Sequence, residues 1–105
     1  MTIQFNTDHN VTASEKFKAP LIDLITEHLH QFSEHINRLE IHVSDENGDK
    51  QGPGDKRCVI EARITGQPPI AATANAATYE EAVLVASKKL KAAIGTKIDK
   101  LKEHS

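Results

Sequence analysis

The sequence predicts an α+β fold of order βαβββα: a two-layer sandwich with a four-stranded sheet and both helices on one face. Three observations lead there: two alternating strand patterns around an acidic, glycine-rich connection, two segments with apolar residues every three to four positions, and two shorter segments that read as strands. Each strand has one apolar face and each helix one apolar stripe. Burying all of them together places the helices side by side over one sheet and leaves the other sheet face in water.

Thr2 to Asn6 alternates, with Ile3 and Phe5 on one side and Gln4 on the other, before the turn-prone Asn6, Asp8 and Asn10. Thr12 and Glu15 form a capping-box pattern, after which Phe17, Leu21, Leu24, Ile25, Leu29 and Phe32 trace an amphipathic helix. Pro20 removes the bond to the carbonyl of Lys16, so a weak or bent first turn and a firm helix from Pro20 to about Phe32 are expected. In the hairpin, Leu39, Ile41 and Val43 alternate with polar residues in one arm, and Cys58, Ile60, Ala62 and Ile64 do so in the other. The wet face then carries Arg38, Glu40, His42, Arg57, Glu61 and Arg63, a mixture of signs that cross-strand pairing would select. Gly66, Pro68 and Pro69 form a turn before the small-residue strand Ile70 to Ala76. Thr78 and Glu81 form a second capping box, and Tyr79, Val83, Ala86, Leu90, Ile94, Ile98 and Leu101 trace one stripe of a long last helix. Gly95 weakens that helix without ending it.

One domain over residues 1–105 is expected, since 105 residues with 38% hydrophobic content can supply a single two-layer core. No apolar run is long enough for a signal peptide or a membrane span, and the lone Cys58 favours a reducing compartment, so the protein is expected to be cytoplasmic. With Phe5, Phe17, Phe32 and Tyr79 as the only aromatic residues, stacking platforms for unpaired bases are not expected.

Chemistry finds little support in the residues. Asp45, Asn47 and Asp49 have the spacing of a calcium loop, but the sixth position is Lys50 and the twelfth is Lys56, where a glycine and a bidentate glutamate are required. His28 and His30 are two apart and point to different sides of a helix. With His35 they are placed on a polar helix surface. Cys58 falls on a core face, and no phosphate-cradling glycine motif or carboxylate pair can be assigned. No enzyme activity, cofactor, metal or small-molecule substrate is expected.

Charge is the informative property. The formal net charge is −2, yet Ala19 to Asn37 holds Asp23, Glu27 and Glu34 with no Lys or Arg, while Lys88 to Lys102 holds six lysines against Asp99. On a helix Lys88, Lys91 and Lys102 share the side away from the apolar stripe, and Lys89 and Lys100 share another flank, where phosphate oxygens can be met. Lysines in the C-terminal half of a helix also suit its dipole and solvate its outer face, so charge alone leaves both roles open.

The segment GDKRCVIEARITGQPPIAATANAATYEEAV, with the preceding INRLEIHVSDEN, resembles the short ribosome hibernation promoting factor and ribosome-associated inhibitor family, also called the sigma-54 modulation protein family. The resemblance runs from VTASE to KKL. It implies a βαβββα domain similar to a double-stranded RNA-binding domain. It also implies a translation inhibitor that binds the small ribosomal subunit and its ribosomal RNA during stress. Carried over by position, it favours Lys88, Lys89, Lys91, Lys97 and Lys100 as RNA contacts, with Arg57 and Arg63 as weaker ones on the sheet. Two features depart from the family pattern: helix one is acidic where it is often basic, and Ala92 stands where arginine is frequent. Both lower the number of phosphates that can be neutralised. The sequence ends at Ser105, so the additional domain of long family members is not expected. The alternative is a protein-binding module of the same fold using the acidic loop 44–55 and helix one. Oligomeric state is left open.

Overall fold

The structure is a computed structural model that describes residues 1–8, 14–46 and 55–103. Its elements are β1 (Thr2–Thr7), α1 (Glu15–Leu29), a 3-10 turn (His30–Phe32), β2 (Ile36–Asp45), β3 (Lys56–Ile64), β4 (Ile70–Ala76) and α2 (Tyr79–Glu103). The expected α+β order βαβββα is therefore what forms. The four strands make one sheet in the order β1-β2-β3-β4, with β1 parallel to β2 and the remaining pairs antiparallel.

The alternation in sequence is what selects the buried face. Leu39, Ile41 and Val43 of β2 and Cys58, Ile60 and Ala62 of β3 are fully buried, as are Ile25, Leu29, Val83, Leu90 and Ile94 of the helices. At β4 the same face is built from Ala72, Ala74 and Ala76, which lets α2 lie close to the sheet. Burial of each large aliphatic side chain contributes on the order of 1.5–3 kcal/mol, so these positions hold the two layers together. The β3–β4 turn uses Gly66 at φ 75°, a left-handed conformation that glycine adopts without a Cβ clash.

Helix one begins earlier than the position of Pro20 suggests. Ser14 is its N-cap and its hydroxyl accepts from the Phe17 N–H at 3.1 Å; Thr12 lies outside the described residues. Phe17 is then anchored edge-on between Phe5 (6.4 Å) and Tyr79 (5.3 Å), which fixes the first turn. Lys16 and Pro20 are both exposed, so the carbonyl that loses its N–H partner sits on a residue facing water, and the proline is accommodated inside the helix. At the other end the helix tightens into the 3-10 turn at His30, so Phe32 is not part of the α-helix. The hairpin ladder continues to Asp45 opposite Lys56, which shortens the connection to residues 46–55, of which 47–54 lie outside the described residues.

Helix α2 opens as the capping pattern requires, with the Thr78 hydroxyl accepting from the Glu81 N–H at 3.1 Å, and it continues through Gly95. A Cβ at Gly95 would meet Phe32 at 3.5 Å, an ordinary contact. Gly95→Ala is therefore expected to stabilise the protein by about 0.5–1 kcal/mol through helix propensity. A urea midpoint that falls would show that Phe32 cannot yield.

Candidate nucleic-acid interface

The inward face of α2 consists of Ala82, Val83, Ala86, Ser87, Leu90, Ile94 and Ile98, all buried. With about 100° of rotation per residue, Lys88 then lies on the outer side, Lys91 and Lys102 on one flank, and Lys89 and Lys100 on the opposite flank. The lysines are thus distributed around the helix. Lys97 is the exception: rotation returns it to the azimuth of Leu90, in line with the apolar stripe, and it is only half-buried. Leu101, the last residue of the expected stripe, is 40% exposed. The reason is length. Helix α2 has 25 residues, or ~37 Å, whereas the β3 and β4 strands on which it packs have nine and seven residues, about 30 and 23 Å. Beyond Ile98 the helix projects past the sheet and carries Lys100 and Lys102 with it, with Lys97 at its root.

Lys88, Lys91, Lys97 and Lys100 form no ion pair among the described residues. Lys89 behaves differently: its Nζ donates to the backbone carbonyl of Thr73 on β4 at 3.1 Å. Arg57 and Arg63, on the open face of the sheet, both have carboxylate partners. Arg57 meets Glu46 at 3.2 Å, and Arg63 meets Glu61 at 3.4 Å and Glu40 at 3.9 Å. The mixed signs on this face do not pair straight across the strands, as the sequence suggested. Arg38 stands opposite Arg63 and Glu40 opposite Glu61, so attraction runs along each strand and diagonally: Arg38 reaches Glu40 at 3.1 Å and also bonds Gln4 of β1. Like-charged neighbours are tolerated because each row of one sign lies beside a row of the other.

The opposite end of the molecule is acidic. Lys56 sits between Asp45 (2.9 Å) and Asp55 (3.3 Å) and over the ring of Tyr79 at 5.5 Å from its centroid. The hydrogen bond to Asp45 raises the pKa of the Lys56 amine against the opposing effect of burial, with Asp55 adding to the rise. Burial, then the charge of Asp45, pushes the Tyr79 hydroxyl up as well. Because Tyr79 opens α2 and touches Phe17 in the first turn of α1, both helix N-termini lie here, with Glu15, Glu80 and Glu81. Glu15, Glu80 and Glu81 thus gather about the helix N-termini, where Lys16, Lys18 and Lys56 also lie, and the α2 lysines gather in the C-terminal half of that helix, which shares its end of the molecule with Glu27 and Glu34. Each group also suits the helix dipole at its own end. The Asp45–Lys56–Asp55–Tyr79 cluster was missed at sequence level, although Lys56 opposite Asp45 in an extended ladder would have indicated part of it.

Cys58 is fully buried on the core face, and burial pushes its thiol up to about 12, so no thiolate is available at neutral pH. Among the described residues no group of His, Cys, Asp and Glu is arranged to hold a metal ion, and no helix is long and apolar enough to cross a membrane. Of the histidines placed on the helix surface, His28 is half-buried with its ring nitrogen 2.9 Å from the Leu24 carbonyl. His30 lies in the 3-10 turn, and His35 lies beyond it.

Residues 4–103 match the family model described as sigma 54 modulation protein / S30EA ribosomal protein. Among solved structures, a ribosomal subunit interface protein from Coxiella burnetii is similar with a TM-score of 0.71 and 18% sequence identity, over 94% of this chain and 99% of that one. The N-terminal domain of Thermus thermophilus Protein Y is similar with a TM-score of 0.63 and 14% identity, over 90% and 96% of the two chains. No curated protein matches the sequence.

Proposed function

The chain belongs to the sigma 54 modulation protein / S30EA ribosomal protein family, and on that premise we propose that it is a ribosome-associated inhibitor of translation, a hibernation factor of the cytoplasm. It docks on ribosomal RNA of the small subunit through the lysines of α2 and acts by occupying the site. The observation that carries this reading is the set of four α2 lysines, Lys88, Lys91, Lys97 and Lys100, that have no carboxylate partner among the described residues. Charges left uncompensated on a folded surface are the ones that can release counterions from phosphates. Lys89 can join them by exchanging the Thr73 carbonyl for a phosphate oxygen. Arg57 and Arg63 are secondary contacts, because a phosphate must compete with Glu46, Glu40 and Glu61 for them.

Recognition of this kind relies on shape and charge in place of base edges. If about four phosphates are neutralised, affinity for small subunits falls roughly a hundredfold between ~50 and ~200 mM salt. Co-sedimentation across that range tests the reading: a steep loss supports it, and no association at the low-salt end overturns it. The unpaired lysines of α2 also attract an RNA surface at a distance, which raises the rate of encounter at low salt.

A further inference from the structure

Helices α1 and α2 lie side by side and run in the same direction. Phe17, in the first turn of α1, meets Tyr79, the first residue of α2, at 5.3 Å between ring centroids, and Phe32, just beyond the end of α1, lies against Gly95. These two contacts fix the pairs between them. His28 precedes Phe32 by about one turn and Lys91 precedes Gly95 by one turn, so the two residues face each other across the groove between the helices. Their burial agrees. Leu24 and His28 fall within ~40° of Phe17 around α1, and Leu84 and Lys91 within ~40° of Gly95 around α2; all four are half-buried.

The hydrogen bond made by His28 decides what its ring can do. Nδ1 lies 2.9 Å from the Leu24 carbonyl. A carbonyl only accepts, so Nδ1 carries a proton and Nε2 of the neutral ring is a lone pair. A phosphodiester oxygen also only accepts. His28 can therefore bond a phosphate only as imidazolium, with Nε2 as the donor on the edge of the ring away from its own backbone. An imidazolium facing Lys91 meets a like charge, and an anion placed between the two relieves the repulsion. Of the other charged groups, Lys88 stands on the outer side of α2 at the mouth of the groove. Glu27 and Asp23 lie about 100° or more around α1 from His28 and are exposed, as is His30 in the turn that follows. The core side of the sheet beneath is apolar.

We propose that the groove between α1 and α2 binds a backbone phosphate of the ribosomal RNA between protonated His28 and Lys91, so that the small subunit is held more tightly in acid. One proton from solvent adds to Nε2 and no other covalent bond changes. This rests on the RNA reading above and adds a contact from helix one to it. The stretch from Ala19 to Asn37 has no Lys or Arg, and His28 supplies it with a cation that forms as the pH falls.

The test is the affinity of the full chain for purified small subunits across a range of salt, at pH ~7.5 and ~5.8, on either side of the ordinary imidazole range. Uptake of one proton changes affinity by at most about tenfold per pH unit, and wild-type affinity should rise by about threefold or more in acid. The salt slope should steepen by about one, because one more phosphate is neutralised. His28→Gln should lose the acid gain. His28→Arg, a fixed cation, should bind at neutral pH about as tightly as the wild type does in acid, with the steeper slope of about one more at both pH values. His30→Gln should retain the full acid gain, which separates a charge at His28 from protonation of histidines in general. Circular dichroism checks the fold of each variant. The proposal is overturned if the wild type shows no acid gain and no change in slope, if His28→Gln keeps the gain, or if His28→Arg matches the wild type at neutral pH in both affinity and slope. Failure to associate at neutral pH and low salt is a different result, which overturns the RNA reading and this contact with it.

Discussion

Simultaneous replacement of Lys88, Lys91, Lys97 and Lys100 by glutamate is expected to lower affinity for small ribosomal subunits by at least a hundredfold at about 100 mM salt and to remove most of its salt dependence. Four neutralised phosphates correspond to a slope of roughly −3 to −4 in log affinity against log salt, and the variant leaves none of the four contributions in place. The four positions are exposed or half-buried and form no ion pair among the described residues, so the fold should survive and circular dichroism should be unchanged. The comparison with Arg57→Glu and Arg63→Glu is informative. Their guanidinium groups are engaged by Glu46, Glu61 and Glu40, and their replacement should cost far less. A quadruple variant that keeps both its affinity and its slope would place the RNA surface elsewhere.

The largest effect on stability is expected from Ile60→Ala, at about 3 to 4 kcal/mol. Ile60 is fully buried on β3, with Ile41 and Ala72 as its register partners on either side. The small Ala72 cannot fill the space left by the lost atoms, so a cavity remains. Against a total stability of about 5–15 kcal/mol, the loss should lower the melting temperature by roughly 12–20 °C. Val59→Ala, one residue earlier on the open face and half-buried, should cost less than about 1 kcal/mol. Urea unfolding of the two variants measures the difference. Equal losses would mean that the two faces of β3 are buried alike.

Much of the architecture is legible locally because burial follows periodicity. A period of two assigns Leu39, Ile41 and Val43 to one face of β2 whatever the sheet packs against, and a period near 3.6 does the same for Val83, Leu90 and Ile94 of α2. The Thr78 cap and the Gly66 turn were visible for a similar reason, since each satisfies backbone requirements within four residues. The start of α1 was not. It depends on Phe17 finding Phe5 and Tyr79, residues far apart in sequence, and that anchoring outweighs the preference of Pro20 for a first turn.

The candidate site divides along the same line. Composition and spacing alone determined that α2 is the basic element and that its lysines surround an apolar stripe. Which of those lysines are uncompensated was decided by the tertiary structure: Lys89 is held by Thr73, Arg57 and Arg63 are held by glutamates, and Lys97 lies half-buried where the helix leaves the sheet. The physical reason is that a periodic pattern specifies the direction of each side chain from its own element. An ion pair, an overhang or a covered edge depends on the distance to another element, which exists only once the chain has folded.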